Sequence, residues 1–388
     1  MITDTLPEFV KRGSPERDSE LILSLVASGL VGMVHWRGDV DRRRPYDGRL
    51  QLGLDRLAVA CSREGLKPPT GVADLVWDWS AERSVRQWPL RLDEDAEVGD
   101  ERLLVGGEPS EFCREWVCAA SDVMAEIHES ALVEHVKDVA RALGRPELYA
   151  QWRLILTEHS VLSATELLQW KNAHLDVAPW PLWLDDSYEP IPVEATVDGQ
   201  NAICRGCHQS MTPNVTTRRW SCPSWRCDVR QDLRDPVFKP SDGMFRLRSD
   251  LVRFVALPGQ PELGLARALA RRGARVVLYP GLDALDLLAT WPDGYAIGVD
   301  LKDWRFSSLL AKKIKQFPRW PKGHPYAYSD GFVAIPNDRT RGHPEYLKTL
   351  RKRSTALRAQ PHVHAITDAQ LISQCPNVAP PGEVTCGP

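Results

Sequence analysis

The sequence predicts a multidomain chain: an α-helical N-terminal domain, a cysteine ribbon, and a C-terminal α/β domain built on a mixed sheet with the element order αβββαβαβα. Three observations point there. Apolar residues recur at helical spacing through much of residues 1–194. Four cysteines fall in two close pairs between 204 and 227. Beyond residue 250, short β-branched runs alternate with helical stripes. At 388 residues, and roughly 150 per domain, two or three domains fit. The boundaries read as 1–194 helical, 195–235 ribbon and 240–375 α/β, with 376–388 a disordered tail.

In the first region, residues 19–34, 50–64, 111–143 with a break, and 147–172 read as amphipathic helices, separated by acidic or Pro-rich loops such as 92–101. The acidic balance favours a protein partner over DNA, and Trp77, Trp79 and Trp88 read as core rather than binding platforms. The longest apolar stretch, 22–34, has only thirteen residues, follows Arg17, Asp18 and Glu20, and lacks a signal-peptide layout. A cytoplasmic protein with no membrane partner is expected. No Gly-rich phosphate loop and no Ser-His-Asp or Cys-His motif is visible.

The ribbon has the spacing Cys204-x2-Cys207, fourteen residues, then Cys222-x4-Cys227. Two such knuckles close a tetrahedral Zn²⁺ site, which four protein ligands make structural rather than catalytic. The bland alternative, two disulfides, suits a cytosolic chain poorly. His208 could replace a cysteine but reads more simply as a surface imidazole. Arg205, Arg218, Arg219, Arg226 and Arg230, with Trp220 and Trp225 among them, would also suit a nucleic-acid backbone. The other cysteines, Cys61, Cys113, Cys118, Cys375 and Cys386, look like packing or tail residues.

In the α/β region, residues 261–272 form a helical stripe through Leu265 and Leu269 that ends at Gly273. A strand over 274–279 closes at Pro280-Gly281, and 285–291 reads as the next strand. Pro292-Asp293-Gly294 suits a three-residue hairpin turn, with Gly where a positive φ is needed. Residues 295–302 alternate with period two, placing Asp300 and Lys302 on one face. A helix over 307–317, a strand over 332–335, a helix over 344–358, a strand over 363–366 and a last helical turn complete the order.

The turn fixes a register: Trp291 faces Tyr295, Thr290 faces Ala296, and Asp286 faces Asp300. Opposed Cβ atoms lie roughly 4.5–5.5 Å apart, close enough for two carboxylates to share a divalent ion. A two-residue Asp293-Gly294 loop would instead oppose Asp286 to Leu301. Hard oxygen ligands fit Mg²⁺ or Mn²⁺ better than zinc, and two facing carboxylates without a cation repel. Lys302 would orient the nucleophile or stabilise developing charge. The plain alternative is a surface hairpin with a salt-bridged Asp and Lys.

With these residues in hand, the chain resembles the restriction-endonuclease-like PD-(D/E)xK nucleases over residues 250–375. The resemblance implies that Asp286 is the first acid, Asp300 the second, Lys302 the lysine and Glu262 the acid on the first helix. No proline precedes Asp286, and Asp283 is a rival for its place. Glu262 reads equally well as a first-turn acid favoured by the helix dipole. The runs Leu278-Tyr279-Pro280-Gly281-Leu282-Asp283 and Val299-Asp300-Leu301-Lys302-Asp303-Trp304 resemble a narrower branch, the nuclease encoded beside pPIWI-RE proteins in three-gene bacterial defence islands. Residues 149–168 and the Tyr188-Glu189-Pro190-Ile191-Pro192 run are similar to the helical domain that accompanies it.

Residues 301–360 carry fourteen Lys or Arg against four Asp or Glu, a net of +10 in a chain of net −3. Lys312, Lys313 and Lys315 on one helix, and Arg351 and Lys352 on another with Lys348, Arg353 and Arg358, are candidate phosphate contacts. The expectation is therefore a Mg²⁺-dependent endonuclease acting on DNA, with RNA or a hybrid as alternatives, within an antiviral or anti-plasmid defence system. The resemblance implies a PIWI-like protein and a helicase as partners, and one active site per chain suggests a homodimer or a second nuclease for double-strand cleavage. Gln316 is a weaker candidate for orienting a group. The competing expectation is a non-catalytic nucleic-acid-binding or scaffolding subunit.

Overall fold

The structure is a computed structural model describing residues 15–35, 46–92, 100–119, 123–214, 219–224, 227 and 236–387. It divides into two compact units, the first formed by 1–127, 304–314 and 345–355, the second by 128–303, 315–344 and 356–388. Both are discontinuous in sequence.

The first unit is helical. Helices Pro15–His35 and Gly48–Arg63 bury Leu23, Val26, Leu30, Leu50 and Leu57 on a shared core. Trp79 and Trp88 pack edge-on in it, as core residues, whereas Trp77 is exposed. The short helix Ser307–Lys313 joins this unit through Phe306, whose ring meets Phe112 at 5.2 Å. Its N-terminal end is satisfied by buried Glu115, whose carboxylate accepts from the backbone N–H groups of Arg305 (2.6 Å) and Phe306 (3.0 Å). In the second unit, the expected helix over 147–172 is broken: Pro146–Glu158 stops, Val161–Ser163 forms a strand, and Ala164–Asn172 restarts under a Ser163/Glu166 capping box. Among the described residues no helix is long and apolar enough to cross a membrane.

The second unit holds α1 (Pro146–Glu158), α2 (Leu257–Arg271), β1 (Arg275–Leu278), β2 (Leu287–Thr290), β3 (Ala296–Leu301), β4 (Asp330–Ile335), β5 (Val363–Thr367), α3 (Asp368–Gln374) and β6 (Val384–Thr385). Its sheet is mixed, with spatial order β5-β4-β3-β2-β1-β6. β1, β2 and β3 run antiparallel, while β3, β4 and β5 run parallel, as does the pair β1 and β6. One face of β1–β3, through Val276, Leu278, Leu287, Ala289, Ile297 and Val299, is buried in one core with Leu265, Ala266 and Leu269 of α2.

Three sequence expectations need correction. The helix begins well before Pro261: Ser249–Leu251, a π-helical turn over Val252–Ala256 and α2 follow one another without a break, so that Pro258 falls in the first turn of α2 and Pro261 lies inside it, without an amide hydrogen to give the helix. The tail over 376–388, expected to be disordered, is tied down: Val384 and Thr385 pair with Val276 and Val277, and the Val378 and Gly382 amides donate to Arg272 and Ala270 carbonyls. Backbone pairing with the β1 edge orders a segment whose composition alone suggests none. The expected helix over 344–358 is also two shorter ones, Tyr346–Arg353 and Thr355–Ala359.

Candidate active site

The β2–β3 hairpin places the carboxylates. Trp291 N–H donates to Tyr295 O at 2.9 Å and Gly294 N–H to Trp291 O at 3.0 Å, closing the three-residue turn over Pro292, Asp293 and Gly294. Gly294 sits at φ +86°, a conformation that costs glycine little. Pairing then runs Thr290 to Ala296 and on to Leu287 with Val299, the register the turn dictates. Asp286 and Asp300 are the next step, where regular pairing ends. Asp286 is instead fixed by its own N–H donating to Val299 O (3.1 Å) and by Oδ2 accepting the Leu301 N–H at 2.6 Å.

Lys302 joins the two acids. Its ammonium hydrogen-bonds Asp300 Oδ1 and lies 3.8 Å from Asp286 Oδ2, so Asp300 and Lys302 share a strand face and Asp286 reaches the same point. Asp286 is almost fully buried, while Asp300 and Lys302 keep 20% and 29% of their side chains exposed, leaving an approach from solvent. Burial, then the negative charge of Glu262, pushes the Asp286 carboxyl well above the usual range, with Lys302 opposing. Burial also works against the Lys302 charge, but Asp286 and Asp300 outweigh it and hold the ammonium above its ordinary pKa.

Glu262 and Asp283 lie in the adjoining network and are already committed. Arg153 of α1 donates to both Glu262 oxygens, at 2.9 and 3.0 Å, and its other terminal nitrogen is 2.6 Å from Asp283 Oδ1. Asp283 also receives the Tyr149 hydroxyl at 2.9 Å and faces Lys137 at 3.3 Å. The guanidinium lies over the Tyr279 ring, 4.2 Å from its centroid. Burial raises the Glu262 pKa to about 7 despite Arg153. For Asp283, burial is overcome by Arg153 and Lys137 and the pKa falls. The turn that carries Asp283 runs through left-handed backbone at Tyr279, Gly281, Leu282 and Asp283, strain that surrounding contacts must offset.

The acids of this region, Glu262, Asp283, Asp286 and Asp300, face three basic groups, Lys137, Arg153 and Lys302. That leaves one negative charge uncompensated when all are ionised, beside two partly accessible oxygen donors. Such a donor set suits a hard divalent cation that keeps waters and a substrate phosphate, which needs only one or two carboxylates. No three of the acids converge as a closed cage: among the described residues the four ribbon cysteines are the one group of three or more possible ligands within 4.8 Å of one another.

The cysteines fit zinc. Cys204, Cys207, Cys222 and Cys227 gather their sulfurs, none in a disulfide. A tetrahedral Zn²⁺ with bonds of about 2.3 Å spaces its sulfurs about 3.8 Å apart, and Cys207 Sγ lies 3.3 Å from Cys222 Sγ. The Ser224 N–H points at Cys222 Sγ (3.4 Å), a donor suited to a thiolate. His208, exposed at φ +57°, is not in the group. Gln260 of α2 donates to Cys207 O at 2.6 Å, so the ribbon is fastened two residues from Glu262. Trp220 packs edge-on against Phe238, and Arg205 is exposed. Arg218, Trp225, Arg226 and Arg230 lie outside the described residues, as does the side chain of Arg219.

Residues 22–163 match the family described as pPIWI_RE three-gene island domain Y, and residues 259–379 match the REase associating with pPIWI_RE. The chain belongs with the restriction-endonuclease-like component of pPIWI-RE islands. No curated protein and no solved structure matches it. Asp286, Asp300, Lys302 and Glu262 of this island protein all fall inside the second match.

The basic residues are divided between the units. Lys312 and Lys313, on Ser307–Lys313, and Arg351 and Lys352, on Tyr346–Arg353, belong to the first unit, and Lys312 is paired with Glu20 at 2.8 Å. Lys315 and Gln316 are exposed beyond the helix end, because that helix stops at Lys313 instead of reaching 317. The closeness in sequence of Lys312 and Lys313 to Lys302 therefore does not make them part of the carboxylate-bearing unit, whereas Lys315 and Gln316 fall within it. Sequence reasoning gave no role to Arg153, Tyr149 or Tyr279. The signal was there: Arg153 is the one charged residue on the helix face that Leu148, Tyr149, Trp152 and Leu156 bury.

Proposed function

We propose that this protein is a Mg²⁺-dependent nuclease (Mn²⁺ substituting) that hydrolyses phosphodiester bonds of invading DNA within a pPIWI-RE-type defence system. The observation that carries the reading is the Lys302 ammonium seated against Asp300 and within 3.8 Å of Asp286 on a hairpin whose register a three-residue turn sets. The bound ion would polarise the phosphate and ease deprotonation of a water. Asp286 and Asp300 would hold it, Asp286 kept in one orientation by the Leu301 N–H. Lys302, charged and partly exposed, would orient the attacking water or neutralise the charge that builds on the phosphate. Glu262, both oxygens bound by Arg153, acts by setting the local potential rather than as a ligand in this arrangement.

Supercoiled plasmid and single-stranded DNA incubated with the full chain in Mg²⁺ or Mn²⁺, alone and with the PIWI-like protein and helicase of the island, test this directly. Cutting that disappears in Lys302→Ala and Asp300→Ala supports it; binding without variant-sensitive cutting in every combination rejects it. That second outcome would favour a non-catalytic scaffold, a reading to which the Arg153 grip on Glu262 and the lack of a three-carboxylate cage among the described residues lend weight. Cleavage of both strands would need two copies of this site, from a homodimer or a partner nuclease.

A further inference from the structure

The face of β1–β3 that carries Asp300 is covered by an aromatic loop. Tyr326 and Tyr328 pack on Val277, Leu288 and Ala296. Trp320 stacks on His324, with centroids 5.8 Å apart and planes within 11°, and meets Tyr326 and Tyr328 edge-on. Beside it opens a cleft of about 200 Å³ lined by Arg319, Trp320, Tyr328, Ser329 and His362. That is below the roughly 300–1,000 Å³ typical of drug-sized ligand sites, and suits one ring system with its substituent.

The lining is chemically mixed in an informative way. Arg319 is exposed, forms no ion pair among the described residues, and approaches His362 Nδ1 at 2.7 Å. Burial and the Arg319 charge hold the His362 imidazole below its ordinary pKa, so it serves as a neutral neighbour and leaves the guanidinium charge available to an anion. The Tyr328 hydroxyl is spent on Pro318 O at 2.6 Å, so this ring contributes its apolar surface. An aromatic wall beside an unpaired guanidinium is the combination that takes a base and its phosphate.

Position ties the cleft to the carboxylates. A Cβ on Gly298 would lie 2.9 Å from the Tyr328 ring, and Gly298 precedes Asp300 by two residues on the same strand face, about 7 Å along the strand. Ser329 N–H donates to Ala296 O at 2.8 Å. A Cβ on Gly281, in the turn leading to Asp286, would lie 3.2 Å from Trp320. The loop is thus built onto both acid-bearing segments.

We propose that this cleft holds one unpaired nucleotide of the DNA strand flanking the cut, its base against Trp320 and its phosphate on Arg319. The proposal rests on the nuclease reading for the identity of the strand, but its test does not need cleavage. The full chain is titrated without divalent metal into a labelled single-stranded oligonucleotide, its blunt duplex, and a nucleoside monophosphate, followed by anisotropy or competition. Stacking on one base predicts that Trp320→Ala weakens single-strand binding about 5- to 150-fold and Trp320→Phe much less, with duplex binding nearly unchanged. Arg319→Gln, at an exposed position with no structural partner to lose except His362, should weaken single-strand binding in the same sense. The idea is overturned by equal losses on duplex and single strand, by no loss in either variant, or by a monophosphate binding as tightly as the oligonucleotide. Because these titrations use no divalent metal and no cleavage, failure of the cleft and failure of catalysis are separable.

Discussion

Replacing Arg153 by Met keeps the length of the side chain and removes its charge, which strands two buried carboxylates. Breaking a buried ion pair on one side costs about 3–5 kcal/mol. An independent ceiling comes from protonation: a carboxyl with an ordinary pKa near 3.9 costs about 4 kcal/mol to neutralise at pH 7. Glu262 adds little to that, because its pKa of about 7 already leaves it near half-protonated at neutrality. Most of the penalty therefore falls on Asp283, which retains Lys137 and the Tyr149 hydroxyl, so about 3 kcal/mol is expected at pH 7. The penalty must shrink in acid, where both carboxyls take up protons cheaply. The measurement is urea unfolding of wild type and Arg153→Met at pH 5.5, 7 and 8, read by hydrogen exchange at α1 and β1, since two units preclude a single global transition. Arg153→Met with Glu262→Gln should recover part of the loss at pH 8. Equal destabilisation at pH 5.5 and 8, or none at pH 8, would refute the assignment of Arg153 as the counter-charge.

Three further outcomes are expected. In wild type, Glu262 has a folded pKa of about 7, above its ordinary 4.5, so the native state binds the extra proton and its contribution to stability falls as pH rises between those values, then levels off; Glu262→Gln should flatten that slope. Saturating Mg²⁺ should stabilise the second unit by about 2.7 kcal/mol at a hundred times Kd, and Asp300→Asn should abolish the shift in melting temperature. Gly273→Ala should cost more than about 1 kcal/mol, because Gly273 sits at φ +91° and the added methyl would lie 2.2 Å from Val378 O; faster proteolysis of residues 376–388 in the variant would show the tail detaching.

Local rules made the hairpin legible. Pro292-Asp293-Gly294 and the period-two alternation of 295–302 gave the register and the shared face of Asp300 and Lys302, because turn geometry and pleating act within a few residues. The cysteine spacing was equally local. What could not be read depended on distant partners. Arg153 is 109 residues from Glu262, so Glu262 looked like a free first-turn acid, although its side chain is held from outside its own helix. The tail looked disordered because nothing in its composition announces the open edge of β1. Basic residues near Lys302 in sequence looked like its neighbours in space, but the chain leaves the second unit at Trp304 and returns at Lys315.

The same facts bear on how the island protein is divided. The match to domain Y runs to residue 163, yet the second unit starts at 128, so the last part of that match packs with the restriction-endonuclease-like sheet. α1 supplies Tyr149 and Arg153, which together hold Asp283, while Arg153 holds Glu262. The ribbon reaches α2, the helix that carries Glu262, through Gln260. A fragment beginning near 240 would lose Arg153 and the ribbon at once, and with Arg153 the counter-charge of Glu262 and Asp283, together with the α1 side chains that share a core with Leu265 and Leu269. Zinc removal should act by the same route at lower cost: stoichiometric loss of one Zn²⁺ per chain on chelation, or in Cys222→Ser, should raise hydrogen exchange at the start of α2 before any change in β3. Unchanged exchange at Gln260 and Glu262 after metal loss would show that the ribbon and the carboxylates are independent after all.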